Sequence, residues 1–265
     1  MKVYISADIE GVTGVTHWDE TDLHKEESKA ARDQMTAEVV AACEGALSAG
    51  AKEVWVKDSH DTGRNIVASR LPREVRLIRG WTGHPFSMVQ ELNDSFSALV
   101  MIGYHSRAGA ATSPLAHTMT GQIALLTLNG RPASEFMLHS YVAASMGIPV
   151  ACLSGDKGLC DEAAQLNPHI VTVAVKEGIG EATVNLHPDV AVGQIKEGVA
   201  RALKSDLSLC RLPVPEQFVM QVRYRQPSRA YQVGFYPGAR QLDEGTVEFS
   251  SESYFEILRF MLFAT

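Results

Sequence analysis

The sequence is poor in cysteine and lacks long hydrophobic runs. Its four cysteines form no CxxC pair, so neither a zinc knuckle nor a dense disulfide framework is indicated. The longest apolar runs, such as residues 98–103, fall well short of the ~20 residues that cross a bilayer. The first residues also lack the apolar core of a signal peptide. We therefore expect a cytoplasmic protein with reduced thiols and no membrane partner.

Positive charge is scarce as well. The chain has 24 Lys and Arg residues against 31 Asp and Glu residues, a net charge of −7, and no basic run. Because nucleic-acid binders usually carry a basic stripe, we expect no nucleic-acid partner. The turn at residues 11–14 contains two glycines but matches neither glycine-rich phosphate-binding pattern, and no GxSxG nucleophile elbow occurs. A nucleotide or phosphate enzyme is therefore the weakest hypothesis.

What the sequence does contain is a regular alternation of strand-like and helix-like segments. The pattern predicts strands at residues 2–8, 54–56, 77–78, 98–103, 122–128, 150–153, 170–175, 218–224 and 246–250. It predicts helices at residues 26–49, 85–92, 133–146, 190–203 and 252–263. This rhythm favours the α/β class, a layered α/β/α arrangement with a largely parallel or mixed sheet. The linker-like segment Leu212–Pro215 predicts a metal-binding catalytic domain at 1–212 and a smaller α+β portion at 213–265, either separate or part of the same domain.

Side chains that bind metals follow several predicted strands or begin a helix: Asp8, Glu10, His60, His105 and Glu135, with His117 in a nearby loop. Ligands of α/β sheets gather beyond the carboxyl ends of the strands. Carboxylate and imidazole groups suit zinc or a similar divalent ion. Five such ligands exceed what one tetrahedral zinc needs, and a carboxylate such as Asp8 could bridge two ions. Taken singly, each residue is more often a loop cap, a helix-dipole partner or an ordinary hydrogen-bonded histidine, and only their joint placement favours a metal site.

At these residues the chain resembles the zinc D-aminopeptidase family over most of its length. The motifs that carry the resemblance occur in order along the sequence: Ser6–Gly11, Met35–Glu38, Asp58–Asn65, Gly103–His105, Leu115–Thr118, Asn129–Glu135 and Gly147–Asp156. Three positions depart from the family pattern, namely Val40, Ser134 and His139. We expect these departures to affect the substrate more than the metals.

The resemblance implies a two-zinc site in each subunit. Asp8 would bridge the ions, Glu10 and His60 would complete one coordination shell, and His105 and Glu135 would complete the other. The histidine that matches the family's catalytic residue is His117, as proton shuttle, nucleophile or orienting group. The family also implies a large ring-shaped homo-oligomer that encloses the sites and admits only short peptides.

These inferences predict a metal-dependent aminopeptidase that cuts the N-terminal peptide bond of short peptides, with D-residues as the expected substrates. The near alternative is the same metal scaffold acting on another small amide or on an L-peptide. A different class of answer is a non-catalytic protein that binds small peptides. The absence of an export signal and the clustering of histidine with paired carboxylates argue against that class.

Overall fold

The computed structural model describes all 265 residues and contains two β-sheets. The larger sheet has seven strands in the order β3-β2-β1-β4-β7-β8-β9, and all neighbours are parallel except the last pair. Its strands are β1 (Lys2–Ala7), β2 (Glu53–Asp58), β3 (Val75–Ile78), β4 (Ala98–Tyr104), β7 (Val150–Asp156), β8 (Val171–Ile179) and β9 (Ala182–Asn185). The predicted α/β class with a mixed sheet is confirmed.

The second sheet has five antiparallel strands in the order β11-β12-β10-β5-β6. They are β5 (Ile123–Leu128), β6 (Arg131–Pro132), β10 (Phe218–Tyr224), β11 (Arg240–Gln241) and β12 (Thr246–Ser251). This sheet joins strands from both sides of residue 212. The division into 1–212 and 213–265 stays a prediction.

Six α-helices complete the fold: α1 (Ser28–Ser48), α2 (Glu135–Ser145), α3 (Lys157–Leu166), α4 (Pro188–Lys204), α5 (Pro227–Val233) and α6 (Tyr254–Ala264). Buried side chains of α1 and α4 form one hydrophobic core with one face of the large sheet. Those of α2, α6 and the second sheet form another core with its opposite face. No helix is both long enough and apolar enough to span a membrane.

Strand β4 shows why the large sheet has two cores. All seven of its residues are buried, as expected for a strand covered on both faces. Successive side chains of a strand point to opposite faces. Val100 and Ile102 therefore belong to the core beneath α1 and α4, whereas Leu99 and Met101 belong to the core beneath α2 and α6.

One predicted helix is absent. Residues 85–92 contain only a 3₁₀ turn at Ser87–Val89, because Ser87 (φ 44°) and Glu91 (φ 70°) adopt the left-handed conformation and interrupt helical geometry. The structure also contains α3, α5 and β9, which the sequence pattern did not single out.

Candidate metal centre

The candidate ligands lie at the carboxyl ends of three neighbouring strands. Asp8 and Glu10 follow β1, His60 follows β2, and His105 follows β4. Because these strands are parallel and adjacent, their carboxyl ends lie at one edge of the sheet. Strand β1 lies between β2 and β4, so the strand order reverses its direction at β1. Ligands of α/β folds usually bind at such a topological switch point.

Two glycines allow the loops after β1 and β4 to touch. The amide of Gly11 donates a hydrogen bond to the carbonyl oxygen of Gly103 at 2.8 Å. A Cβ atom at Gly11 would lie 1.7 Å from the carbonyl oxygen of Tyr104, and Gly103 has a left-handed φ of 72°. Only residues without a side chain allow this contact. It brings Glu10 and His105 to the same site.

The carboxylate of Asp8 lies between two histidines. Its Oδ1 is 3.3 Å from His60 Nδ1, and its Oδ2 is 3.5 Å from His105 Nε2. His60 Nδ1 is also 3.1 Å from Glu10 Oε2. His105 Nε2 is 3.4 Å from Glu135 Oε2. The five side chains thus form two groups that share Asp8.

Glu135 reaches this centre from the start of α2. Ser134 caps the helix by accepting a hydrogen bond from the amide of Met137, which fixes the position of the first turn. Oε1 of Glu135 accepts a hydrogen bond from the amide of Met119 at 2.6 Å. His117 Nε2 lies 3.6 Å from the same oxygen. The loop that carries His117 and Met119 therefore meets the start of α2 at the carboxylate of Glu135.

Each of the three histidines uses one ring nitrogen for a main-chain contact. The ring donates to a carbonyl oxygen, at 2.9 Å from His60 Nε2 to Thr21, 2.9 Å from His105 Nδ1 to Ser106 and 3.0 Å from His117 Nδ1 to Leu115. This contact orients the ring and directs its second nitrogen to the carboxylates. Metal-binding histidines usually have such a partner.

The buried carboxylates perturb the protonation of the histidines. Burial alone would lower the pKa of the His60 and His105 rings. Glu10 and Asp8 nevertheless hold the pKa of His60 well above its usual range, and Glu135 leads the carboxylates that raise the pKa of His105 to about 10. Burial opposes ionisation of Glu135, yet the nearby His105 and His117 lower its pKa to about 2. The centre therefore attracts positive charge strongly.

The side chains fit a divalent cation such as zinc. His105 Nε2 and Glu10 Oε2 are buried, and none of their close contacts has hydrogen-bond geometry, although buried polar atoms nearly always form a hydrogen bond. Two groups of side chains each have ligand atoms that all lie within 4.8 Å of one another. One group is Asp8, Glu10 and His105, and the other is His105, His117 and Glu135. Carboxylate oxygen and imidazole nitrogen are ordinary zinc ligands. A cation at this centre would give the unpaired atoms a partner.

The centre opens into a cavity of about 840 Å³. Asp8, Glu10, His60, His117 and Glu135 line it, whereas His105 is fully buried behind them. Two half-exposed tryptophans, Trp18 and Trp81, also line the cavity. Every charged side chain in the lining is acidic or a histidine, so the cavity favours cationic groups.

A buried lysine that sequence reasoning missed supports the loop after β1. Lys176 of β8 donates from Nζ to the carbonyl oxygen of Glu10, and to that of Val15 at 2.6 Å. Burial lowers the pKa of Lys176 to about 8. The only sequence signal was a charged residue next to an apolar strand.

Lys57 and Asp58 support the loop after β2 in a similar way. Lys57 donates from Nζ to the carbonyl oxygens of Asp58 and Gly80. The Asp58 carboxylate accepts hydrogen bonds from the amides of Asn65 and Ile66 at 2.5 and 2.7 Å. Asp58 therefore closes the loop that carries His60 and is not directed at the centre.

The fold and these side chains define a metal-binding α/β protein, and comparisons with known proteins identify its family. The M55 peptidase family, described as D-aminopeptidase, matches residues 1–263. A D-aminopeptidase of Bacillus subtilis (strain 168) is 32% identical over 267 residues, which cover 100% of this chain and 97% of the relative. A solved structure, the Zn-dependent D-aminopeptidase DppA from Bacillus subtilis, described as a self-compartmentalizing protease, superposes with a TM-score of 0.93. It is 31% identical, and the match covers 100% of this chain and 96% of that one.

The chain therefore belongs to the M55 D-aminopeptidase family and is a hydrolase of the zinc-dependent aminopeptidase type. The family resemblance of the sequence motifs is confirmed.

Proposed function

We propose that this protein hydrolyses the N-terminal peptide bond of short peptides with D-residues at a dinuclear zinc site. The observation that carries the proposal is the position of Asp8, whose two carboxylate oxygens face His60 and His105 separately. A carboxylate shared in this way is the usual bridge between two metal ions.

The ligand set divides around Asp8. Glu10 and His60 would complete one ion's coordination, and His105 and Glu135 would complete the other's, as their interatomic distances suggest. When bound, a zinc pair supplies polarisation of the scissile carbonyl and a water of lowered pKa.

His117 is the residue that we assign to proton transfer. Its Nδ1 is engaged with the carbonyl oxygen of Leu115, which leaves Nε2 directed towards Glu135 and the cavity. Trp18 packs edge-on against the ring, with ring centroids 5.2 Å apart. Held in this orientation, Nε2 can take a proton from the attacking water and deliver it to the leaving amine.

We further propose that the protein assembles into a ring-shaped homo-oligomer that admits only short peptides. One relative is described as a self-compartmentalizing protease. In this chain, Tyr231, Phe235 and Phe263 are 63%, 71% and 62% exposed. Large exposed aromatic side chains often mark protein interfaces. Light scattering of the purified protein would test the assembly, and a monomer would contradict it.

The activity is tested with paired alanine dipeptides of all-D and all-L configuration. Zinc-loaded protein should release alanine from the D-dipeptide, and the Asp8→Asn variant should release none. Faster hydrolysis of the L-dipeptide, or of a simple amide alone, would establish the alternative substrate class. Tight binding without turnover would contradict an enzymatic role for this site and favour a peptide-binding protein.

A further inference from the structure

A second and smaller chamber of about 40 Å³ adjoins the main cavity. Three residues, Ser87, Met119 and Leu262, line both spaces and form the boundary between them. One water molecule needs a cavity of at least about 10–15 Å³. The small chamber therefore has room for about three groups the size of a water molecule.

The boundary is conformationally strained and lies next to the metal centre. Ser87 (φ 44°) and Met119 (φ 63°) both have left-handed backbone, although neither is glycine. Strained residues of this kind concentrate at functional sites. The amide of Met119 donates to Oε1 of the candidate ligand Glu135. A group in the small chamber is therefore close to the proposed reaction site.

Three polar residues, Ser87, His139 and Thr265, line this otherwise apolar chamber, and His139 alone among them offers a ring nitrogen. His139 of α2 is 1% exposed and lines the chamber together with Leu138, Leu258 and Met261. Its single hydrogen bond joins Nδ1 to the carbonyl oxygen of Glu135 at 2.7 Å. Since a carbonyl oxygen only accepts, Nδ1 carries the proton, and Nε2 of the neutral ring is an acceptor without a protein partner.

We propose that this chamber is the subsite for the side chain of the substrate's N-terminal residue, and that His139 makes it selective for a small hydroxyl side chain such as that of serine. The inference rests on the proposed aminopeptidase function. The main cavity reaches solvent at the half-exposed Trp18 and Trp81, so the rest of the peptide can extend that way while the terminal side chain enters the smaller chamber. A hydroxymethyl group fits the volume, and its O–H can donate to Nε2.

The test compares dipeptides that differ only in the first side chain: alanyl-, 2-aminobutyryl- and seryl-alanine, in the configuration that the enzyme cleaves. The 2-aminobutyryl group has the shape of serine with a methyl in place of the hydroxyl. We expect a kcat/KM for the seryl peptide about 5- to 10-fold above that for the 2-aminobutyryl peptide, the range that one hydrogen bond supplies. His139→Leu should abolish this difference, whereas His139→Gln, which keeps an acceptor, should retain part of it.

A control variant, His169→Leu, removes an exposed histidine and should keep the wild-type ratio. Zinc content should be the same in all variants. An equal loss of activity on all three peptides in His139→Leu would mean that the ring only supports α2, and would overturn the proposal. A seryl preference that persists unchanged in His139→Leu would overturn the proposal too. Failure of the wild-type protein to cleave any of the peptides would instead contradict the proposed function.

Discussion

His105 and His117 lie stacked, with ring centroids 4.3 Å apart and 5° between the ring planes. Both rings direct Nε2 to the same carboxylate, since His105 is 3.4 Å from Oε2 of Glu135 and His117 is 3.6 Å from Oε1. Geometry alone thus places His117 beside a ligand position. We distinguish the two residues by exposure, because His105 is fully buried and His117 lines the cavity.

The first prediction concerns His117. His117→Ala should lower kcat by about 10²- to 10⁴-fold, the usual contribution of a positioned acid or base. Zinc content should remain that of the wild type, because the role we propose for the ring is proton transfer and not metal binding. Elemental analysis and dipeptide hydrolysis on the same preparation check both statements. Zinc loss in proportion to the activity loss would identify His117 as a ligand, and His24→Ala serves as the cavity-lining control.

The second prediction concerns the bridge. Asp8→Asn should reduce zinc from the proposed two ions per chain to less than one, because both proposed coordination shells would lose their shared ligand. Glu135→Gln should remove about one ion only, since Glu135 lies beside His105 and belongs to only one of the two proposed ligand groups. Asp61→Asn is a matched control, because Asp61 is an exposed cavity-lining carboxylate that pairs with none of the candidate histidines. Equal zinc loss in the Asp8 and Glu135 variants would argue against a bridging role for Asp8.

The third prediction concerns Lys176. Lys176→Met keeps the length of the apolar stem but leaves the buried carbonyl oxygens of Glu10 and Val15 without their donor. We expect unfolding in urea to become easier by about 2 kcal/mol. Zinc should also be held more weakly, because the loop carrying Glu10 is released. Lys157→Met removes only an exposed ion pair with Asp161 and should leave stability unchanged; comparable effects of the two substitutions would contradict this role.

The fourth prediction is a pH dependence of stability. Burial raises the pKa of Glu38 to about 7, against the opposing effect of its hydrogen bond from the amide of Thr13. The folded protein then holds a proton that the unfolded chain releases near pH 4.5. This group therefore stabilises the fold fully below pH 4.5, and that stability is lost as the pH rises to 7.

Glu38→Gln should remove this dependence. The unfolding free energy of the variant minus that of the wild type should increase by up to about 3 kcal/mol between pH 4.5 and pH 8. Urea titrations at both values measure the difference. The exposed Glu27→Gln should show no such gain, and parallel pH profiles for wild type and Glu38→Gln would refute the assignment.

The sequence alone placed four of the candidate ligands correctly relative to the strands. Asp8, Glu10, His60 and His105 each follow a short apolar strand. Parallel neighbours end at the same edge, so local patterning was sufficient to predict that these side chains converge. The short helix at 85–92 was predicted wrongly because Ser87 and Glu91 adopt a left-handed backbone, which apolar periodicity does not reveal.

Tertiary structure decided what converges from outside the parallel strands. Glu135 and His117 reach the centre through a helix start and a loop, and their meeting depends on the hydrogen bond from Met119 to Glu135. The small chamber depends on α6, which packs beside α2 although the two helices are more than 100 residues apart in the chain. The second sheet likewise pairs β5 with β10 across a long connection. Periodicity describes only how a segment divides its own faces between core and solvent, whereas these contacts depend on which distant segments bury their apolar faces together.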